Sequence, residues 1–202
     1  MSTTLLVTGF GPFPGAPSNP TGPLVRRLAR RRRPAFTDVW RASHIFRTSY
    51  AAIERELPKL ITKHRPDAIL MFGLAARTRH LRIETQARNV ISAIFADADG
   101  RKLTARKLAQ DCASLRVRAP VMNLLQAARA SRVPAMLSRD AGRYLCNALL
   151  WRALETTRGN HGPQVVAFVH VPQLRRDLAL TDLVRAGEAI MLAVLAAVRR
   201  PR

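Results

Sequence analysis

At 202 residues, with 48% hydrophobic but only 5% aromatic content, the chain can bury one full core made mainly of Leu, Val, Ile and Ala, which excludes a largely disordered protein. Its 34 Lys and Arg against 13 Asp and Glu give a net charge of +21, and that raises nucleic-acid binding as a function class. Yet the cations are scattered arginines with one true cluster, Arg26-Arg27 with Arg30 to Arg33, and no zinc-finger spacing, helix-turn-helix or aromatic platform accompanies them. The reading is a solvated Arg-rich surface, with nonspecific polyanion binding at low salt following from charge alone.

The N-terminal segment, Met1-Ser2-Thr3-Thr4-Leu5-Leu6-Val7-Thr8-Gly9, has no basic region and too short an apolar run for a signal peptide. Thr4 to Thr8 reads as a strand that ends in Gly9-Phe10-Gly11-Pro12-Phe13-Pro14-Gly15, a structured loop that neither continues a strand nor starts a helix. Asn19-Pro20-Thr21 starts a helix with Pro23 in its first turn and Leu24, Val25 and Leu28 following. Thr37 to His44 reads as a second strand. Ser49 to Lys63 is amphipathic, with Ile53, Leu57, Leu60 and Ile61 on one side. Ala68 to Phe72 is a buried strand closed by Gly73. Ala75 to Lys107 is irregular and Arg-rich, with a short strand around Ile83 to Ile91. A strand near Leu115 to Val117, a helix over Val121 to Ala130, a helix holding Cys146, the strand Val165 to His170 and a helix from Asp182 to Val198 complete the order.

Strands alternating with helices, with no repeat or linker between them, predict one α/β domain over residues 1–202. Its sheet is expected to be largely parallel. Ala189 to Val198 is about half the length a membrane span requires, so the expectation is a soluble cytoplasmic protein without membrane partners. His44, His64, His80 and His161 lack metal-ligand spacing, so neither a metal nor a cofactor is expected. The Gly9-Phe10-Gly11 turn lacks the third Gly and the Lys of phosphate-cradling fingerprints.

Two residues carry chemistry. Cys146 follows the small-residue turn Asp140-Ala141-Gly142-Arg143-Tyr144-Leu145 and enters an apolar helical pattern, while His170 stands at a strand exit two residues before Pro172. A helix start offers partial positive charge and free N–H groups that favour a thiolate and receive an oxyanion. The carboxyl ends of parallel strands gather the loops where a His would meet it. The competing reading is a small buried Cys and a satisfied core His. Cys112 lacks any such context and reads as a packing residue.

Val7-Thr8-Gly9-Phe10-Gly11-Pro12-Phe13 with Asn19-Pro20, Ile83-Glu84 with Asn89, Ala141-Gly142-Arg143-Tyr144-Leu145-Cys146-Asn147, and Phe168-Val169-His170-Val171-Pro172 resemble, in order and separation, the pyroglutamyl peptidase I family of cysteine peptidases. The resemblance implies a three-layer α/β/α sandwich around a largely parallel twisted sheet, often assembled as a homotetramer or dimer. It implies Cys146 as nucleophile, His170 as general base and acid, and Glu84 as the residue orienting the imidazole. Composition alone reads Glu84 as an exposed carboxylate beside Arg82 or Arg88. The resemblance further implies N-terminally pyroglutamylated peptides as substrates, with Phe10, Phe13, Leu74 and Leu145 around the lactam. Two departures stand out. Leu74 follows Gly73 where the family carries Gln, and Ser92 to Asp97 puts Ile94 where the family has an Arg, leaving Arg77, Arg79 or Arg82 as candidates to compensate. The alternatives are a related cysteine amidohydrolase with altered or lost lactam specificity, and a non-catalytic basic nucleic-acid-associated module.

Overall fold

The computed structural model describes residues 3–199 except 14–15, 93, 95, 111 and 159–161, so the sequence readings at Met1, Ser2, Pro14, Gly15, Ala93, Phe95 and His161 lie outside the described residues. In chain order the elements are β1 (Thr3–Phe10), α1 (Thr21–Ala29), β2 (Val39–Phe46), α2 (Tyr50–His64), β3 (Ala68–Leu74), β4 (Leu81–Glu84), β5 (Gln86–Arg88), β6 (Ser114–Arg116), α3 (Val121–Ala130), β7 (Ala135–Ser138), α4 (Leu145–Glu155), β8 (Val165–Val171) and α5 (Leu180–Val198).

Six strands form one sheet in the order β2-β1-β3-β8-β4-β7. The pairs β1–β2, β1–β3 and β3–β8 are parallel, whereas β4 runs antiparallel to β8 and pairs parallel with β7. The sheet is thus largely parallel with two reversed strands at one side. The strand read near Leu115 is β6, and it joins β5 in a separate antiparallel ribbon. The stretch read as one strand around Ile83 to Ile91 divides into β4 in the main sheet and β5 in the ribbon. Strand β7 escapes the sequence reading because Ala135-Met136-Leu137-Ser138 is a short edge whose two central residues are exposed, so no alternation marks it.

The period of two in each strand deals side chains to two cores. Leu5, Val7, Leu70, Phe72, Val165, Ala167 and Val169 pack with α1, α3 and α5 on one face. Leu6, Ile69, Met71, Val166 and Phe168 pack with α2 and α4 on the other, where Trp151 of α4 is fully buried. Each strand of the central pair is buried on both faces, which explains its continuous apolar sequence. Helix α2 starts where Ser49 Oγ accepts from the Ala52 N–H at 3.4 Å, as an N-cap. The Arg cluster at the end of α1 is exposed, as read from the sequence. Arg31 and Arg33 both pair with Glu188 of α5, a carboxylate 3% exposed.

Candidate active site

Strand register sets the geometry of the polar residues on the α2/α4 face. Arg82 of β4 lies opposite His170 of β8, so both side chains leave the sheet on the same face. Glu84, two residues on, shares that face as the diagonal neighbour of His170. The same period places Gly73 beside His170 in the parallel β3–β8 pair. These residues face the start of α4, where Cys146 is the second helical residue.

His170 Nδ1 is hydrogen-bonded to Glu84 Oε1 at 2.8 Å, and the Cys146 side chain stands close enough for the imidazole to feel it. With Nδ1 facing the carboxylate, Nε2 is left for the sulfur. Glu84 is 1% exposed and His170 5%. The carboxylate read from composition as a surface charge is therefore buried, and it carries a second contact from Arg82 Nε to Oε1 at 3.3 Å. Its other oxygen, Oε2, has no hydrogen-bond partner among the described residues. Burial alone would push the imidazole towards its neutral form. The charge and hydrogen bond of Cys146, then those of Glu84, overcome it and raise His170 to about 9.

Gly73 does not close β3 as expected; the strand runs through it to Leu74. A Cβ at Gly73 would stand 2.7 Å from Cys146 Sγ and 2.7 Å from the Phe168 ring, so a bare backbone here makes room for the thiol. Ahead of the helix, Gly142 adopts φ 84°, a left-handed conformation that glycine takes without strain. It lets the 138–144 turn deliver Cys146 onto the sheet.

Sequence reasoning missed several supporting residues. Asn147, fully buried, donates through Nδ2 to Arg88 O at 2.8 Å and Val90 O at 3.1 Å, and its Oδ1 accepts from Arg88 N at 2.9 Å. It ties α4 to β5 and to the segment after it. Asn89 does the same for the 108–112 loop, with Oδ1 accepting from Leu108 N and Ala109 N and Nδ2 donating to Ala109 O and Cys112 O. Both asparagines stood within the quoted motifs, but only coordinates reveal their partners. Tyr50 and Tyr144 pack edge to face, with ring centroids 5.8 Å apart. Burial, then the charges of Asp97 and Cys146, raise Tyr144 to about 12, and burial likewise drives Tyr50 upward.

The lactam candidates divide. Phe10 is 3% exposed and packs 6.2 Å from Phe46 within the core, and Leu145 is 1% exposed. Phe13 and Leu74 are half-buried. The loop between β1 and α1 is fixed from both sides: Asn19 Nδ2 and Thr48 Oγ1 donate to Gly11 O at 3.1 and 3.2 Å. Beside Tyr144 lies a depression of about 640 Å³ bounded by Val90, Ile91, Ser92, Ile94, Arg106 and Arg143. Among the described residues no cluster of His, Cys, Asp and Glu could hold a metal ion, and no helix is long and apolar enough to cross a membrane.

Such a constellation, a thiol at a helix start with an imidazole held by a buried carboxylate, is competent for nucleophilic acyl transfer. The family model described as pyroglutamyl peptidase matches residues 3–199. A pyrrolidone-carboxylate peptidase of Thermococcus kodakarensis is 31% identical over 169 residues, covering 83% of this chain and 80% of that protein. Pyrrolidone-carboxylate peptidase 1 of Ralstonia nicotianae is 31% identical over 178 residues, covering 87% and 81%. The structure of the pyrrolidone carboxyl peptidase of Thermococcus litoralis superposes with a TM-score of 0.90 at 24% identity, covering 99% of this chain and 96% of that one. Pyroglutamyl peptidase I of Bacillus amyloliquefaciens gives 0.85 at 24% identity, covering 96% and 97%. These superpositions establish the α/β/α fold. None of these relatives bears a nucleic-acid-binding name, and the basic-module alternative finds no support among them. The match over nearly all of the described chain, joined to these relatives, places this protein in the pyroglutamyl peptidase family.

Proposed function

We propose that this protein removes the N-terminal pyroglutamyl residue from peptides by covalent cysteine catalysis, with Cys146 as nucleophile, His170 as acid and base, and Glu84 as the residue that fixes the imidazole. The observation that carries this reading is the one buried imidazole bonded to Glu84 Oε1 at 2.8 Å, with the Cys146 side chain beside it.

In the first half-reaction Cys146 Sγ attacks the pyroglutamyl carbonyl carbon and a C–S bond forms. Backbone N–H groups at the start of α4 receive the oxyanion. The imidazolium of His170 gives its proton to the departing amine as the C–N bond breaks, leaving a thioester. In the second half, His170 takes a proton from water, whose oxygen attacks the thioester. Pyroglutamate leaves and the thiol is restored. Glu84 holds one tautomer and one ring orientation through both steps, and the imidazolium's charge is balanced by a buried carboxylate that does not itself transfer a proton.

The lactam is neutral and flat, so apolar walls suit it. Phe13 and Leu74, both half-buried, are placed in this proposal against the ring, with Phe10 and Leu145 backing them from the core. The remainder of the peptide follows the depression beside Tyr144. The reading treats the chain as one domain, because both cores share one sheet and the family match runs from 3 to 199. It takes the working form as a cytoplasmic homo-oligomer. Neither Cys112 nor Cys146 is joined in a disulfide, which suits a reducing compartment.

The test is hydrolysis of a chromogenic pyroglutamyl amide. Wild-type protein is expected to turn it over, and Cys146→Ala is expected to lower kcat by roughly 10⁴- to 10⁶-fold while remaining folded. Turnover that survives the substitution unchanged would end the cysteine-peptidase reading.

A further inference from the structure

We propose that Arg82 is a positioning residue for the triad, holding Glu84 against His170 and tying that carboxylate to the turn that delivers Cys146. The inference rests on the assignment of Cys146, His170 and Glu84 as the working triad and assigns a fourth side chain to it.

Three contacts converge on this guanidinium. Its Nε lies 3.3 Å from Glu84 Oε1, the same oxygen that bonds His170. Its Nη2 donates to Ser138 Oγ at 2.5 Å and to the Asp140 carbonyl. Ser138 ends β7 and Asp140 opens the turn into α4, so one planar group spans the strand bearing the carboxylate and the segment bearing the nucleophile. Arginine suits this role because its donors sit in a fixed fork, whereas a lysine ammonium offers only a flexible point charge. The pairing of Arg82 with His170 across β4 and β8 explains why the cation is there: both side chains leave the sheet on one face.

The charge has its own consequence. Arg82 meets part of the charge of Glu84, whose Oε2 lacks a partner among the described residues. It also sets a positive charge close to an imidazole that must itself become positive, which opposes the imidazolium. The other charged or titratable groups facing this centre are Cys146 on α4, Tyr144 just before it, Tyr50 on α2 and Asp97 in the loop after β5. The Asp140 carboxylate is turned to Arg88 at 3.2 Å. Besides the imidazolium of His170, Arg82 is thus the one cation among the described residues paired with the triad carboxylate.

The test compares wild type with Arg82→Met and Arg82→Lys. In the pH profile of kcat/KM for a pyroglutamyl amide, the alkaline limb reports loss of the His170 proton. In Arg82→Met this limb is expected to move to higher pH by about half a unit or more, with kcat reduced at least about tenfold. Arg82→Lys should lose rate through the broken fork and keep the wild-type limb. A merely structural role would lower kcat in both variants and move neither limb, and that result would overturn the proposal. So would a limb shifted as far in the Lys variant as in the Met variant. If Arg82→Met fails to fold, Arg82→Gln takes its place as the uncharged variant: a limb displaced to higher pH supports the proposal and an unmoved limb overturns it. The imidazole titration of His170, followed by NMR on isotope-labelled histidine, reads the same shift without turnover. A wild-type protein inert towards pyroglutamyl amides would sink the proposed function, while that titration would still decide the role of Arg82.

Discussion

A hydrogen atom at position 73 matters as much to the site as the nucleophile above it. The sulfur of Cys146 occupies the volume that any Cβ at Gly73 would fill, and the ring of Phe168 closes the other side at 2.7 Å. In a close-packed interior neither neighbour can retreat without cost. Gly73→Ala is expected to displace the thiol from the imidazole and lower kcat/KM roughly a hundredfold, with a loss of about 1–3 kcal/mol of stability from overpacking. Steady-state kinetics and chemical denaturation of the variant check both, and wild-type kinetics in a folded Gly73→Ala protein would contradict the proposed packing of the sulfur. Sequence reading took this glycine for a strand terminator because glycines after apolar runs usually are. The steric reason for it lies 73 residues further along the chain, at Cys146. Glu84 was invisible to composition for a related reason. Glu54, Glu56, Glu84, Glu155 and Glu188 look alike until the fold buries Glu84 against an imidazole, and only the family resemblance singled it out.

Between elements, the site depends on polar side chains that bridge segments with no regular structure in common. Asn147 is the clearest case. It lies on α4 immediately after Cys146, and its amide satisfies two carbonyls and one N–H of the 88–90 backbone. Those groups are partly buried while Asn147 itself is fully buried, so removing the amide leaves them without their partner. Asn147→Ala is expected to destabilise by about 2–3 kcal/mol and to lower the melting temperature by roughly 4–12 °C. Because the segment it holds runs on from Glu84, kcat should fall as well. Calorimetry and kinetics on the same sample test this, and an unchanged melting temperature would contradict it. Elements with strong local signals were legible: α3 spans Val121–Ala130 as read, and α2, at Tyr50–His64, matches the amphipathic stretch Ser49 to Lys63 within a residue at each end. Those set by partners were not. β7 is a short exposed edge, and the reversal of β4 against β8 leaves no trace in local periodicity because strand direction is a property of pairing.

For the whole molecule, one sheet divides two cores, and the proposed chemistry sits where α4 meets the sheet on the α2/α4 side. The fold pairs some of the 34 cations, with Arg31 and Arg33 on Glu188, Arg82 on Glu84 and Arg199 on Asp38, while the net charge of +21 that first suggested nucleic acid stays on the molecule. The fold class was legible because alternating strands and helices leave few topologies. The partners of each arginine were not, since they depend on which surfaces the topology brings together. The central claim is that the His170 imidazole is held in its charged form by the Cys146 side chain beside it. In the folded protein His170 keeps its proton up to about 9, against 6.5 for an unperturbed imidazole. The imidazolium's contribution to stability is therefore whole below about 6.5 and is lost as pH rises through about 9. Histidine-resolved NMR titration of wild type and Cys146→Ala tests that coupling most directly. The expected result is a midpoint near 9 in wild type that falls by ~1 unit or more once the sulfur is gone, whereas the same midpoint in both proteins would show that the imidazole does not sense the thiol.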